Sequence, residues 1–245
     1  MTHKTKAIVI KTVKYGETSI VASMLTSLFG LQTYLINGVR KQQKKGEKSI
    51  LYQPGAILNL VVYHQDQKNL QRIKEAHWAH IHEHILSDVI KHSIASFMME
   101  LLQKTIRQPE TNIDLFEFCE DCLVCLDKAD QKATANFPLF FALQLPQFFG
   151  FKLSLPNNQA DFTCLDLKEG FFLTEMPDHP LYITGEAANM TAELLKASHP
   201  TDLDQFDLNQ NQRRTLIQRY MQYYSIHVSE FGQMKTLAVM YEVFG

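Results

Sequence analysis

Apolar residues in the first 80 positions alternate with polar ones at the short period of half-buried β-strands. Residues 7–13 are rich in β-branched side chains, residues 19–26 alternate, and residues 31–39 follow a turn signal at Phe29-Gly30. Tyr15-Gly16 marks the first reversal. Pro54-Gly55 opens a fourth run over 56–63, and the polar turn His64-Gln65-Asp66-Gln67 leads to a fifth over 70–77. Five short strands with no strong helical period between them predict a small antiparallel barrel, for which the OB-fold is the five-stranded solution.

Beyond residue 80 the period becomes helical. Leu86, Ile90, Ile94, Phe97 and Leu101 recur at three- and four-residue steps, which predicts a helix over 84–106 that stops before Pro109. A second helix is predicted over 112–128. The run Phe137-Pro138-Leu139-Phe140-Phe141-Ala142-Leu143-Gln144-Leu145 is apolar nearly all round, so it reads as a central buried helix with Pro138 near its start. Two more helices are expected, over 186–197 and from an Asp207 cap, with Gln210 in the capping-box position, to about residue 229. Between them and the buried helix, residues 150–183 lose periodicity at Pro156, Gly170, Pro177 and Pro180 and read as an irregular or short β insertion. The expected fold class is α+β in two domains. Residues 1–80 form the barrel, and residues 81–245 form an all-α domain with its insertion at about 151–183. No internal repeat or Gly/Ser linker interrupts this plan.

Charge adds a polarity that the hydrophobic pattern does not show. The chain of 245 residues has 24 Lys and Arg against 26 Asp and Glu, for a net of −2. Residues 1–50 hold nine of the cations and only Glu17 and Glu47 as acids, a net of +7, which leaves −9 on the remainder. Five cations, Arg40, Lys41, Lys44, Lys45 and Lys48, fall in one stretch between the third and fourth strands, with amides, Gly46 and no apolar residue. Such a stretch buries nothing and stays solvated. A basic end on an acidic protein is an electrostatic footprint for a polyanion, and phosphate backbones are the commonest one. Lys11 and Lys14 are expected to extend this basic face. Tyr34, Tyr52 and Tyr63 are candidates either for base stacking or for sheet packing.

The 45% hydrophobic content suffices for a full core. The longest unbroken apolar run, residues 139–143, falls far short of a membrane span, and the apolar run after Met1 is too short for a signal-peptide core. A cytoplasmic protein that does not contact membranes is expected. Four cysteines do not make a disulfide framework in a chain of this size, which fits a reducing compartment.

Several short motifs in the barrel region recur in a familiar order. Ile10, Tyr15-Gly16-Glu17-Thr18-Ser19-Ile20-Val21, Leu25-Thr26, Phe29-Gly30, Asn37-Gly38-Val39-Arg40-Lys41 and Leu51-Tyr52-Gln53-Pro54-Gly55 together resemble the N-terminal domain of the bacterial recombination mediator family RecO. The resemblance covers about the first 80 residues, and His227 with Lys235-Thr236 resembles a weak C-terminal signature. It implies an OB-fold followed by a helical domain that binds and anneals DNA, single- and double-stranded. It further implies partnership with RecR and with the single-strand-binding protein SSB, indirect action on the recombinase RecA, and no enzymatic activity. A partner such as the acidic C-terminal tail of SSB would be repelled by the net −9 of the remainder, so a local basic pocket is needed. Arg213, Arg214 and Arg219 are the densest cations after residue 80 and are expected to border it.

Many members of that family carry a four-cysteine zinc module between the helical parts. This chain has only Cys164 and His179 there, and two ligands do not close a tetrahedral site. The module's outline is therefore expected to survive without metal, held by Phe162, Phe171 and Phe172. Cys119, Cys122 and Cys125 superficially resemble an iron–sulfur run, but the fourth Cys and the Pro of such a run are replaced by Ala129 and Asp130. Their spacing continues a helical apolar face with Phe116, Leu123 and Leu126. His77, His80, His82 and His84 are a further cluster that could bind metal, since His80, His82 and His84 share one side of an extended segment, but without a His-Glu-x-x-His motif they read as partly exposed residues at the domain junction, with Trp78 anchoring the strand to the helices. Neither metal nor cofactor is expected. The leading reading is a DNA-binding recombination mediator. The alternative is an OB-fold and helix adaptor that binds proteins and no nucleic acid, and a metal- or cluster-dependent enzyme stands third.

Overall fold

A computed structural model describes residues 2–39, 47–108, 110–155 and 162–244, without the side chains of residues 47, 48 and 244. Its packing divides the chain into two compact units, Met1–Asp127 with Thr236–Gly245, and Lys128–Lys235.

The first unit is built on a closed five-stranded barrel in the order β1-β2-β3-β5-β4, made by β1 (Thr2–Tyr15), β2 (Ser19–Thr26), β3 (Gly30–Ile36), β4 (Ile57–Tyr63) and β5 (Gln71–His80). Closure depends on the length of β1. Its first half pairs with β4, from Thr2↔Tyr63 to Ile8↔Ile57, and its second half pairs with β2, from Ala7↔Thr26 to Tyr15↔Ser19. A bulge between Val9 and Lys11 bends the strand where it passes from one partner to the other. The β3–β5 pair is parallel, and the remaining pairs are antiparallel. Ala7, Val9, Ala22, Met24, Tyr34, Leu58, Leu60 and Val62 fill the interior, as the two-residue period of each strand requires.

One open alternative is decided here and two expectations change. Tyr34 and Tyr52 are buried in the barrel core, which leaves Tyr63, 46% exposed, as the sole base-stacking candidate of the three. Trp78 packs on the barrel's own core. A short helix, α1 (Glu47–Ile50), occupies the end of the basic stretch. Arg40, Lys41, Lys44 and Lys45 lie outside the described residues, and Lys48 contributes only backbone.

Helices α2 (Val89–Thr105) and α3 (Ile113–Lys128) belong to the same unit. Ile8 and Ile10 on the outer side of β1 are buried as well, because α2 packs against that strand. At Gly55, φ +86°, an added Cβ would lie 3.4 Å from Leu123 and 3.5 Å from Ala95, so both helices approach the barrel backbone there. Helix α2 starts five residues later than the pattern predicts because Asp88 caps it, accepting from the N–H groups of Ile90 and Lys91. Cys119 and Cys122 are fully buried on α3, and burial pushes both thiols well above their usual range, as expected of core residues.

The segment between β5 and α2 is held by one buried carboxylate. Asp127, at the end of α3, accepts from the backbone N–H groups of Glu83, His84 and Ile85 at 2.8, 2.9 and 2.8 Å. Burial works to raise its pKa, but these three donors and nearby His82 outweigh it, so the group titrates below the usual carboxylate range. Lys91 Nζ donates to the main-chain carbonyl of Asp127 at 2.7 Å. The four histidines are thus not alike. His82 is buried, His80 is half-buried, and His77 and His84 are exposed.

A helix absent from the sequence expectations, α7 (Lys235–Phe244), closes the chain. Glu100 on α2 accepts from the backbone N–H and the hydroxyl of Thr236 at 2.7 and 2.6 Å, and this fixes where α7 begins.

The second unit is helical with a small sheet. Its central helix α4 (Gln131–Gln144) is longer than predicted, so Pro138 lies inside it and removes one backbone bond; Phe137 to Leu143 are buried on every side. The insertion forms a three-stranded sheet in the order β7-β6-β8, from β6 (Cys164–Asp166), β7 (Phe172–Leu173) and β8 (Tyr182–Thr184). Phe162 and Phe172 meet edge to face at 4.7 Å, whereas Phe171 is 51% exposed and does not join them. The turn is held by Asp166, which accepts from the N–H of Lys168 at 2.7 Å and contacts His179 at 3.3 Å. Helix α5 (Gly185–Leu194) and helix α6 (Gln210–His227) complete the unit. The cap of α6 is Asn209 with Gln212 as its reciprocal partner, two residues beyond the predicted Asp207 and Gln210.

Candidate nucleic-acid interface

Register across the barrel assembles a surface that no single strand reveals. Because Ile20, Ala22, Met24 and Tyr34 point inward, their neighbours Val21, Ser23, Thr33 and Leu35 point outward. Lys11 pairs with Ser23, which pairs with Thr33. Beside that row, Val13 pairs with Val21, Val21 with Leu35, Leu35 with Arg72, and Arg72 with Tyr63. A third row starts at Tyr15 and Ser19. The result is an outer face with an apolar centre and cations at Lys11 and Arg72. Val13 is 45% and Tyr15 56% exposed, so the face is open to a ligand.

Two loops frame this face. Between β1 and β2, the three-residue connection opens at Gly16, whose φ of +59° is the left-handed conformation that glycine adopts without steric cost, directly after Tyr15. Between β4 and β5, the loop is tied to its own strand by Gln71. That side chain accepts from the N–H of Gln65 at 3.0 Å and donates to the carbonyls of Gln65 and Lys68 at 2.8 and 2.6 Å. The His64 ring stacks on Phe29 at 3.8 Å, and a cleft of about 480 Å³ lies between this loop and β3, lined by Leu31, Thr33, His64, Asp66 and Lys68 among others. In five-stranded barrels of this kind, the face of strands 2 and 3 with the 1–2 and 4–5 loops is where oligonucleotides and oligosaccharides bind.

The residues expected from sequence are only partly gathered here. Lys11 and Lys14 are both exposed, but they stand three apart on one strand and so occupy opposite faces of the β1–β2 ribbon. Lys11 joins the outer face; Lys14 pairs with Ile20, on the side of the barrel interior. Lys6 is engaged with Glu120 on α3 at 2.8 Å. Tyr15 and Arg72 were not anticipated, since their place on the face comes from pairing with strands distant in sequence. Position beside the Gly16 reversal was the one local signal for Tyr15.

On α6, successive residues are about 100° apart around the axis, so Arg213, Arg214 and Arg219 fall in three separate sectors. Arg213 donates to the carbonyl of Leu208, close to the cap, and burial lowers its pKa against the opposing charge of Asp207. Arg219 is exposed and donates to Gln222 at 3.1 Å. A single pocket bordered by all three is not formed by the helix itself.

Comparison with known proteins agrees with this architecture. The family model for the recombination protein O N terminal matches residues 1–82, and that for the recombination protein O C terminal matches residues 86–237. A protein of Flavobacterium psychrophilum named DNA repair protein RecO is 32% identical, with 98% of each chain covered. Proteins of the same name from Christiangramia forsetii and Azobacteroides pseudotrichonymphae are 31% and 29% identical, over 98% and 100% of each chain. With both family models matched in order and the relatives aligned nearly end to end, this chain belongs to the recombination protein O family.

Proposed function

We propose that this chain is a non-enzymatic, DNA-binding recombination mediator of DNA repair. It binds and anneals single-stranded DNA and helps to load the recombinase RecA on DNA coated by SSB, with RecR and the SSB C-terminal tail as protein partners; duplex DNA is a further ligand. The observation that carries this reading is the outer barrel face, where exposed Tyr15 and Tyr63 offer stacking surfaces and Lys11 and Arg72 offer charge. The basic stretch from Arg40 to Lys48, which follows β3 and precedes β4 in the sequence, would supply further phosphate contacts, as would Lys14. The repair role named in the relatives supports this assignment. In it, residues 1–80 act as the nucleic-acid module and residues 81–245 as the partner module, working in the cytoplasm. Arg214 and Arg219 are the α6 cations proposed to meet an acidic tail, and Arg213 supports them from the helix start.

Base stacking contributes about 1–3 kcal/mol per base. Tyr15→Ala combined with Arg72→Gln should therefore weaken binding of labelled single-stranded DNA about tenfold or more, while the unfolding midpoint stays within the range of surface substitutions. Unchanged affinity in a folded double variant would remove the outer face from the interface.

A further inference from the structure

The last strand of the barrel ends in a His-x-His pair, and that pair faces a carboxylate. His80 closes β5 and His82 follows two residues later, so the extended chain carries both rings to one side. Their centroids are 5.0 Å apart. One ring nitrogen of each and a carboxylate oxygen of Asp127 lie within 4.8 Å of one another. Nε2 of His80 and Nδ1 of His82 are both buried and have no hydrogen-bond partner among the described residues. Leaving two such nitrogens unsatisfied costs about 1–3 kcal/mol each, unless something else binds there.

We propose that His80, His82 and Asp127 hold one divalent transition-metal ion of the zinc class. A proton does not bridge the group, because Nδ1 of His82 and Oδ1 of Asp127 are 4.0 Å apart, beyond hydrogen-bond range. The three ligand atoms, within 4.8 Å of one another, leave room for an ion instead. Tetrahedral ligands bonded at about 2.1 Å sit about 3.4 Å from one another, so closure asks for shifts of roughly 1 Å, which the half-buried His80 ring can supply by rotation.

The surroundings already orient the ligands. Nε2 of His82 contacts the carbonyl of Gly55 at 3.0 Å, so the proton resides on Nε2 and the lone pair of Nδ1 points into the site. Asp127 is fixed by three backbone donors, two on Oδ1 and one on Oδ2, which leaves one acceptor position of about four, on Oδ2. Two imidazoles and a carboxylate form a three-ligand set, and a water reaching in beside His80 completes the coordination. The ion would pin the end of the barrel to the end of α3. The sequence pattern picks out the alternate histidines, but Asp127 is far away in the chain and only the fold brings it beside His80 and His82.

The test uses the full chain, purified without a polyhistidine tag and stripped with a chelator. Titration with zinc against a chromophoric competitor should give one ion per chain with sub-micromolar affinity, and cobalt should give the visible absorption of a tetrahedral site. His80→Ala, which removes a half-buried ligand, should lower zinc affinity by at least about a hundredfold in a protein with unchanged circular dichroism. His82→Ala should do the same, and if it fails to fold, His80→Ala decides. Cys164→Ser with His179→Ala should leave the affinity as it was. Absence of zinc binding at micromolar free zinc, or full affinity in folded His80→Ala, would overturn the proposal.

Discussion

Replacing Arg40, Lys41, Lys44, Lys45 and Lys48 together with Gln is expected to flatten the salt dependence of single-stranded DNA binding by roughly 2 to 3.5 units of log K per log salt. The figure follows from counterion release. Each phosphate neutralised on a single strand contributes about −0.7 to that slope, so five cations contribute at most about 3.5. Near 0.1 M salt the same change corresponds to an affinity loss of about 100- to 3,000-fold relative to 1 M, alike for all sequences, because phosphate contacts carry no base information. The fold should be little affected. The stretch contains no apolar residue, and exposed substitutions usually change stability by less than about 0.5 kcal/mol. A folded quintuple variant with the wild-type slope would mean that the polyanion contact lies elsewhere.

Asp127→Ala is expected to destabilise the first unit by about 3–5 kcal/mol. This residue is buried and its carboxylate satisfies three main-chain donors in the segment that links β5 to α2. Alanine would leave the N–H groups of Glu83, His84 and Ile85 without that acceptor, and domains of ordinary size have only about 5–15 kcal/mol to lose. Urea unfolding of the variant and the parent gives the difference directly. A loss below about 1 kcal/mol would show that water replaces the carboxylate at little cost, and that the clasp is incidental.

What the sequence made legible, and what it did not, divides along range. The five strands are local patterns of period two, and β2 emerges at Ser19–Thr26 as read with β3, β4 and β5 near their places, whereas β1 starts at Thr2, well before the β-branched run that marks it. The barrel follows, since closing the sheet on itself removes the unpaired strand edges that an open sheet would expose. Helix ends were harder, because the caps that set them are single side chains: Asp88 delays α2, Asn209 delays α6, and neither interrupts the apolar period. Helix α7 was missed for a related reason. Its start is fixed by Glu100, more than a hundred residues away.

The candidate interface shows the same divide. An uneven charge distribution is visible in composition, so the basic stretch could be singled out from the sequence. By contrast, the row Val13, Val21, Leu35, Arg72 and Tyr63 draws on all five strands and exists only once register is fixed. Tyrosines could not be sorted from sequence either. Tyr34 and Tyr63 both lie in strands, and the parity of each relative to the barrel interior decides that one is core and the other open to solvent.

The central claim is that this barrel and its basic stretch bind DNA. A fluorescence titration of the full-length protein with labelled single-stranded DNA, repeated at several salt concentrations, tests it most directly. Engagement of the five cations of the stretch with Lys11 and Arg72 predicts saturable binding whose log K falls linearly with log salt, with a slope between about −3 and −5. Absence of binding at low salt, with an acidic tail peptide still bound, would contradict the claim and leave the protein an adaptor built on the same fold.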